Sequence, residues 1–329
     1  MSNPILVEIT RGSLIESVHR GSLAIADADG VIRFARGDVQ SLTAPRSALK
    51  PVQALPLIET GAAEHFSVSD EEVALACSSH SGEAMHISRI AAWLKRIGCS
   101  EADLACGPHA PFDENIRIGM ALRGEVPTSL HNNCSGKHAG FLTVAQHLGA
   151  GPVSYIHADH AVQKEVAATV RRLSGVENLP YVVDGCAAPN FCLSLTGFSR
   201  ALARMAGGKT KGAVRIFSAM TTFPELVAGT GRSCTALMRA CHGRAAVKSG
   251  AEGVYAAFIP ESGLGVALKI DDGTGRASET VMAAVLAGLG VAGPDIQPFV
   301  RAPILNTRGI EVGERRPAAA ISKADLSAI

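Results

Sequence analysis

The sequence has no run of basic residues, no apolar stretch approaching a membrane span, no C-x-x-C pair, and no internal repeat or low-complexity linker. Each absence removes a class of function. With a net charge of +1 and no basic run, nothing here would neutralise a nucleic-acid backbone or an anionic membrane. Without a span of about 20 apolar residues, a transmembrane helix is not expected. Without C-x-x-C, neither a thioredoxin-like motif nor a zinc ribbon is on offer, and the eight cysteines read as thiols, most of them small buried hydrophobes. Lysine is scarce, nine against 22 arginines, and three of the nine stand in short Ser- and Gly-bearing motifs: Lys50 in Ser47-x-x-Lys50, Lys137 in Ser135-Gly136-Lys137 and Lys248 in Lys248-Ser249-Gly250. Chemistry is sought there.

What remains is an ordinary globular composition over 329 residues, 47% of them hydrophobic, enough for one large domain or two interleaved lobes. The opening Met1-Ser2-Asn3-Pro4-Ile5 lacks the basic and apolar regions of a signal peptide, so a cytoplasmic protein is expected. Short β-type runs over 5–10, 14–19, 22–27 and 31–35 are punctuated by Gly12, Gly21 and Asp29-Gly30. Helical periodicity then holds for more than a hundred residues. It predicts helices over 49–60, from a cap at Asp70, and over 84–97, 159–173 and most of 192–241. Strands return at 245–250, 253–259 and 263–270. A helix over 278–290 and a last strand near 303–313 follow, with a loosely held tail from Arg315. Strands, helices, strands: the expected fold is α+β, an antiparallel sheet lobe (1–45 plus 242–329) flanked by helices, with an inserted helical lobe (46–241).

At the first junction stands Ser47-Ala48-Leu49-Lys50, an S-x-x-K spacing. If a helix starts near Ser47, residues i and i+3 share a face and the amine reaches the hydroxyl. A lysine kept uncharged by desolvation, or by the positive end of a helix, can serve as base for a serine nucleophile. Alone the motif is weak, and Ser47 could simply cap a helix. It has partners, however. Ser79-His80-Ser81 lies in the helical middle, and Lys248-Ser249-Gly250 is the only K-[ST]-G of the chain. Lys248 alone reads equally as an edge-strand lysine that discourages aggregation. Together the three follow the order S-x-x-K, serine cluster, K-T-G of the active-site serine β-lactamases and penicillin-binding proteins. Their helical insertion and antiparallel sheet match the expected layout. Ser81 departs from that pattern, which has Asn there, and a cytoplasmic relative needs a substrate other than cell-wall peptide.

A second constellation is Cys134-Ser135-Gly136-Lys137 with Asp184-Gly185-Cys186. Two thiolates and a third ligand could hold a tetrahedral zinc, although lysine is an unusual ligand and His138 or Asp184 a more ordinary one. From spacing alone, two buried thiols are the simpler reading.

Four segments now carry a resemblance: Pro45-Arg46-Ser47-Ala48-Leu49-Lys50, Cys77-Ser78-Ser79-His80-Ser81-Gly82-Glu83, His131-Asn132-Asn133-Cys134-Ser135-Gly136-Lys137-His138 and Asp184-Gly185-Cys186. Gly250-Ala251-Glu252-Gly253-Val254-Tyr255 after Lys248 extends it. The chain resembles the rhizobial-type (class 3) L-asparaginases over nearly its whole length. The resemblance implies a cytoplasmic homodimer of serine β-lactamase-like fold that hydrolyses L-asparagine to L-aspartate and ammonia. It implies two Ser–Lys pairs, Ser47 with Lys50 and Ser79 with Lys248. It also implies one zinc on Cys134, Lys137 and Cys186, shaping the pocket rather than attacking the amide. Arg46, Asn133, His138 and Asp184 are candidates for substrate binding. Three alternatives compete: a β-lactamase-like esterase or amidase with the same Ser–Lys machinery, a zinc-dependent hydrolase, and a non-catalytic amino-acid-binding protein.

Overall fold

The computed structural model describes residues 2–329; Met1, the first residue of the expected sheet lobe, lies outside them. The chain forms two compact units. One comprises the residues through Ala48 with Leu193–Gly208 and Ala236–Ile329; the other comprises Leu49–Cys192 and Lys209–Thr235.

The first unit is built on an antiparallel sheet. From edge to edge its strands are Ala302–Leu305, Glu311–Pro317, Ile5–Arg11, Leu14–Ala26, Leu264–Ile270, Val254–Ile259 and Ala246–Ser249. Ile32–Arg36 adds to the second half of Leu14–Ala26. The runs 14–19 and 22–27, read separately from the sequence, are one strand. Its first part pairs with Ile5–Arg11 and its second with Leu264–Ile270, so Gly21 continues the ladder opposite Ile270 instead of ending it. Val254–Ile259 is buried along its whole length, which requires cover on both faces. The helices Leu195–Ala206 and Gly275–Gly288 both pack against it.

Two further differences have the same origin. The last strand is a hairpin of two, Ala302–Leu305 and Glu311–Pro317. The tail from Arg315 is held in it, with Arg315 opposite Ile9 and Pro317 opposite Val7. A terminal segment is ordered when a distant strand supplies partners for its backbone groups, which local sequence does not reveal. Leu195–Ala206 lies inside the segment 46–241 expected for the helical lobe, yet it belongs to the sheet unit. Its buried Phe198, Leu202 and Met205 form an apolar face, and it packs on Leu14–Ala26, Val254–Ile259 and Leu264–Ile270.

The second unit is helical. Ser135–His147 is its centre, buried from Ser135 through Ala145 without a solvent face. Asp70–Ala76 and Ala84–Arg96 pack against it, and Lys211–Thr222 packs on Asp70–Ala76. Trp93, from Ala84–Arg96, is fully buried. Ser69, not Asp70, caps Asp70–Ala76: its hydroxyl accepts from Glu72 N–H (3.3 Å) while Glu72 Oε2 accepts from Ser69 N–H (2.9 Å). The helix expected over 49–60 is two short ones, Lys50–Gln53 and Leu55–Glu59. Pro56 has no N–H to donate back to Val52, so the ladder breaks between them. Among the described residues no helix is long and apolar enough to cross a membrane.

Candidate active site

In the sheet unit, Ser47 sits half-buried in a 3-10 turn, Arg46–Leu49. Ala48 N–H donates to Pro45 O (3.1 Å), and Arg46 adopts φ +51°, a left-handed conformation that side chains other than Gly or Asn disfavour by about 1 kcal/mol or more. Strain of this kind persists only where surrounding structure enforces it. The K-S-G strand end lies close against this turn. A Cβ on Gly250 would lie 2.6 Å from Pro45 O and 3.2 Å from Ala48 N, so glycine is what lets that strand run against the Ser47 turn. Lys248, on the edge strand Ala246–Ser249, is 1% exposed and donates from Nζ to Ser249 O (2.8 Å). Ser47, Arg46 and Lys248 are thus placed in one unit around one glycine.

Lys50 opens the helix Lys50–Gln53. That helix has four residues, too few for the positive end that the sequence reading invoked to act on the lysine. Burial and hydrogen bonding hold it instead. Lys50 is 1% exposed, and its Nζ donates to Ser78 O and to Ser79 Oγ (3.0 Å). Ser79 N–H in turn donates to Val227 O (2.9 Å), and His80 N–H to Asn133 O (3.3 Å). His80 Nδ1 accepts from Gly82 N–H, leaving Nε2–H to donate to Ser135 Oγ (2.9 Å), which donates to Leu130 O. Burial, then the neighbouring His86 and Lys50, holds His80 well below its ordinary pKa, consistent with a neutral ring. The segment carrying Ser79 is therefore tied to the start of Ser135–His147, where the cysteine cluster begins.

That cluster assembles within the helical unit. Cys134 precedes Ser135–His147, Lys137 lies in its first turn, and Cys186 comes from the turn after the strand Tyr181–Val183. In that turn Ala187 N–H donates to Asp184 O, and Asp184 Oδ1 accepts from Gly185 N–H. Lys137 Nζ donates to Cys186 Sγ (3.0 Å) with both side chains buried. Cys134 Sγ lies 3.0 Å from Asn133 Oδ1, and its thiol also interacts with Cys186. Donation from Cys134 outweighs burial and, with Lys137 and His138, draws Cys186 far below the ordinary thiol range. Cys134, as the donor, is pushed well above it. Burial opposes charge on Lys137, but the Cys186 and Cys134 sulfurs raise its pKa. Both directions favour an ammonium on Lys137 facing a thiolate on Cys186. By contrast burial alone dominates at Cys106 and Cys241, both pushed up to about 12 and inert as nucleophiles.

His138 is fully buried, and its Nδ1 meets Tyr155 Oη at 2.6 Å. Among the described residues its Nε2 has no hydrogen-bond partner of normal geometry, although the Cys186 sulfur is close enough to act on the ring. Tyr155 Oη also accepts from Ala105 N–H (2.9 Å). No sequence signal marks Tyr155 as part of the site. Among the described residues no three His, Cys, Asp or Glu side chains gather as a metal site; the third member of this cluster is a lysine.

The sequence profile of the L-asparaginase II family matches residues 7–317. The chain belongs to the L-asparaginase II family. The motif segments around Ser47, Ser79, Cys134 and Cys186 all fall inside the match, as the resemblance led one to expect. The family is one of hydrolases acting on amides. No curated protein matches. Two solved structures of Mglu in its native form, one of them in 4.3 M NaCl, are similar at 15% identity with TM-scores of 0.44 and 0.43, the salt form having the lower. They cover 79% and 76% of this chain, which spans 61% and 55% of theirs. A putative β-lactamase from Bacteroides dorei is similar at 12% identity and a TM-score of 0.42, covering 76% of this chain and 84% of its own. These likenesses are too distant to carry weight beside the family match.

Proposed function

We propose that this member of the L-asparaginase II family hydrolyses the side-chain amide of L-asparagine to L-aspartate and ammonia through a serine acyl-enzyme. The observation that carries the reading is a fully buried lysine, Lys50, hydrogen-bonded to a serine hydroxyl, Ser79 Oγ, at 3.0 Å. Ser47 attacks the carbonyl carbon, and Lys50, uncharged at that moment, takes its proton. Backbone N–H groups near Ser47 hold the tetrahedral oxyanion. As it collapses the C–N bond breaks, and Ser79 with Lys248 relays a proton to the leaving ammonia. Water then attacks the ester, giving aspartate and a free serine. Arg46, Asn133, His138 and Asp184 bind the amino-acid portion.

A second assignment is favoured by one distance. The hydroxyl that Lys50 touches within the helical unit is that of Ser79, so Ser79 could carry the adduct. Intact-protein mass and peptide mapping after acid quench, in wild type, Ser47→Ala and Ser79→Ala, separate the two. The serine found by peptide mapping to carry the added aspartyl mass in the wild type or in the other serine's variant is the nucleophile.

Zinc belongs to the same proposal. Two buried sulfurs, an amine and the unpartnered Nε2 of His138 make a donor set that fits the ion, with Cys134, Lys137 and Cys186 as its ligands. Bound there, it would supply charge that shapes the substrate pocket. Tyr155 orients His138 beside it, as an outer partner does around a metal. A homodimer and a cytoplasmic location complete the proposal. Ammonia release from L-asparagine, wild type against Ser47→Ala and Ser79→Ala, is the deciding experiment. Turnover of esters but not asparagine would support the esterase reading. Loss on chelation with both serine variants active would support the zinc hydrolase. Ligand binding without ammonia would leave only a binding protein.

A further inference from the structure

Two loops of the helical unit meet beside Ser79, and one carboxylate fastens them. The first is 78–83, the second 227–232, between the helices Pro224–Val227 and Ser233–Ala240. Glu83, in the first loop, spends both oxygens. Oε1 accepts from Ser81 Oγ–H (2.6 Å) and Thr230 N–H (2.8 Å), and Oε2 accepts from Thr230 Oγ–H (2.7 Å). Burial disfavours the charge, yet the bonds from Ser81 and Thr230 hold the carboxyl below its usual range.

Three further contacts set this arrangement. Glu83 N–H donates to His86 Nδ1 (3.1 Å), which leaves Nε2–H to donate to Glu225 O (2.9 Å) at the base of the second loop. Thr235 Oγ–H donates to Gly229 O (2.7 Å). Gly229 has φ +120°, and a Cβ there would fall 1.9 Å from Ser81 Oγ and 2.7 Å from Glu83 Oε1. No other residue lets the loops close this far. The outcome is the bond from Ser79 N–H to Val227 O (2.9 Å), beside the hydroxyl that Lys50 touches.

From this geometry we infer that Glu83 is a positioning residue. Its carboxylate clasps the loop 227–232 onto the loop 78–83 and so fixes the backbone of Ser79 against Lys50. Thr230 is exposed, so water competes for its bonds, and their net contribution to folding is small. What the clasp supplies is placement. A reacting group displaced by about 1 Å can lose on the order of 100-fold in rate. Glu83 itself touches no reacting atom.

This inference rests on the reading that Ser79 belongs to the reacting centre, and the experiment separates the two. Glu83→Ala, Glu83→Gln and Thr230→Val are made in the full chain. Amide hydrogen exchange and the kcat and KM for ammonia release from L-asparagine are measured. In Glu83→Ala the Ser79 and Thr230 amides are expected to exchange at least about ten-fold faster, while Ser135–His147 keeps its protection. The kcat falls about 10- to 100-fold and KM stays within about three-fold, because the binding contacts remain. Glu83→Gln restores most of the loss, since its amide oxygen accepts from Ser81 and Thr230 N–H while its NH2 donates to Thr230 Oγ. Thr230→Val, keeping the N–H, lies between. A kcat in Glu83→Ala within about two-fold of wild type overturns the inference, as does a Gln variant as damaged as the Ala variant. Should Glu83→Ala not fold, the other two variants decide by the same measures. If the wild type releases no ammonia, the proposed substrate falls, and unchanged exchange at Ser79 in the variants is then what overturns the clasp.

Discussion

Two lysines of the helical unit are buried to nearly the same depth, Lys50 at 1% and Lys137 at 3% exposure, and are held in opposite ways. Lys50 donates to a carbonyl and a hydroxyl, Ser78 O and Ser79 Oγ. Lys137 donates to a sulfur whose pKa is drawn down toward the thiolate. Burial alone does not decide what a lysine does; the partner does. A hydroxyl that can lose a proton makes its lysine a candidate base. A thiolate makes its lysine half of an ion pair, with each charge retained because the other is there.

The comparison breaks most visibly in activity. Lys50→Met, close in length and without an amine, and Ser79→Ala should each lower kcat for ammonia release by about 10³-fold or more, as loss of one member of a catalytic unit does. Lys137→Met should lower it far less. Equal losses at Lys50 and Lys137 would erase the distinction.

The next effect is on stability. Cys186→Ala leaves the Lys137 ammonium buried without its anion, at a cost of about 3–5 kcal/mol by chemical denaturation. The double variant Lys137→Met/Cys186→Ala should regain most of that, because no lone charge remains. If the double variant is no better than the single, the thiolate is not what holds Lys137.

Zinc sharpens the same contrast. Wild type at metal concentrations 100- to 1,000-fold above Kd should gain about 3–4 kcal/mol of stability, read as a rise in Tm that a chelator reverses. Protons should be released on binding, since Lys137 and Cys134 must give theirs up. Cys134→Ser should abolish the shift and Lys50→Met should leave it. A metal-dependent Tm retained in Cys134→Ser would move the site elsewhere.

The smallest effect is that of acid on the histidines near Ser79. Burial lowers the pKa of both His80 and His86 in the folded chain. Below about pH 6.5 the unfolded chain takes up protons at these rings that the folded chain refuses, so unfolding free energy falls with pH. Between pH 7 and 5 the fall should be on the order of 1–3 kcal/mol, and His86→Gln should flatten it. A pH-independent denaturation midpoint over that range would show the rings to be solvated.

Much of this was legible in the sequence where the signal is local or of fixed spacing. Strand punctuation found the meander 245–270, and periodicity found Ala84–Arg96 and Ala161–Ser174. The three lysines singled out by their Ser- and Gly-bearing motifs, Lys50, Lys137 and Lys248, are all deeply buried. What escaped was whatever depends on a distant partner. Leu195–Ala206 reads as one more helix of a helical stretch, but its apolar face fits the sheet. Asp70 looked like a cap because Ser69 and Asp70 are both good ones, and the choice fell to whichever could close the box with Glu72. Ser47-x-x-Lys50 suggested a pair, while Lys50 reaches Ser79, 29 residues on.

By itself, then, the sequence determined chemical identity: which hydroxyls, amines and thiols exist, and that glycines stand where backbones must approach. Spacing also set the broad succession of strands, helices and strands, because each element's period is a property of its own residues. The tertiary structure alone decided partnership. Whether a buried amine meets Ser79 Oγ or Cys186 Sγ, and whether Glu83 finds Thr230, depends on how segments far apart in the chain are packed. Charge and hydrogen bonding act over a few ångströms of space, regardless of separation along the chain.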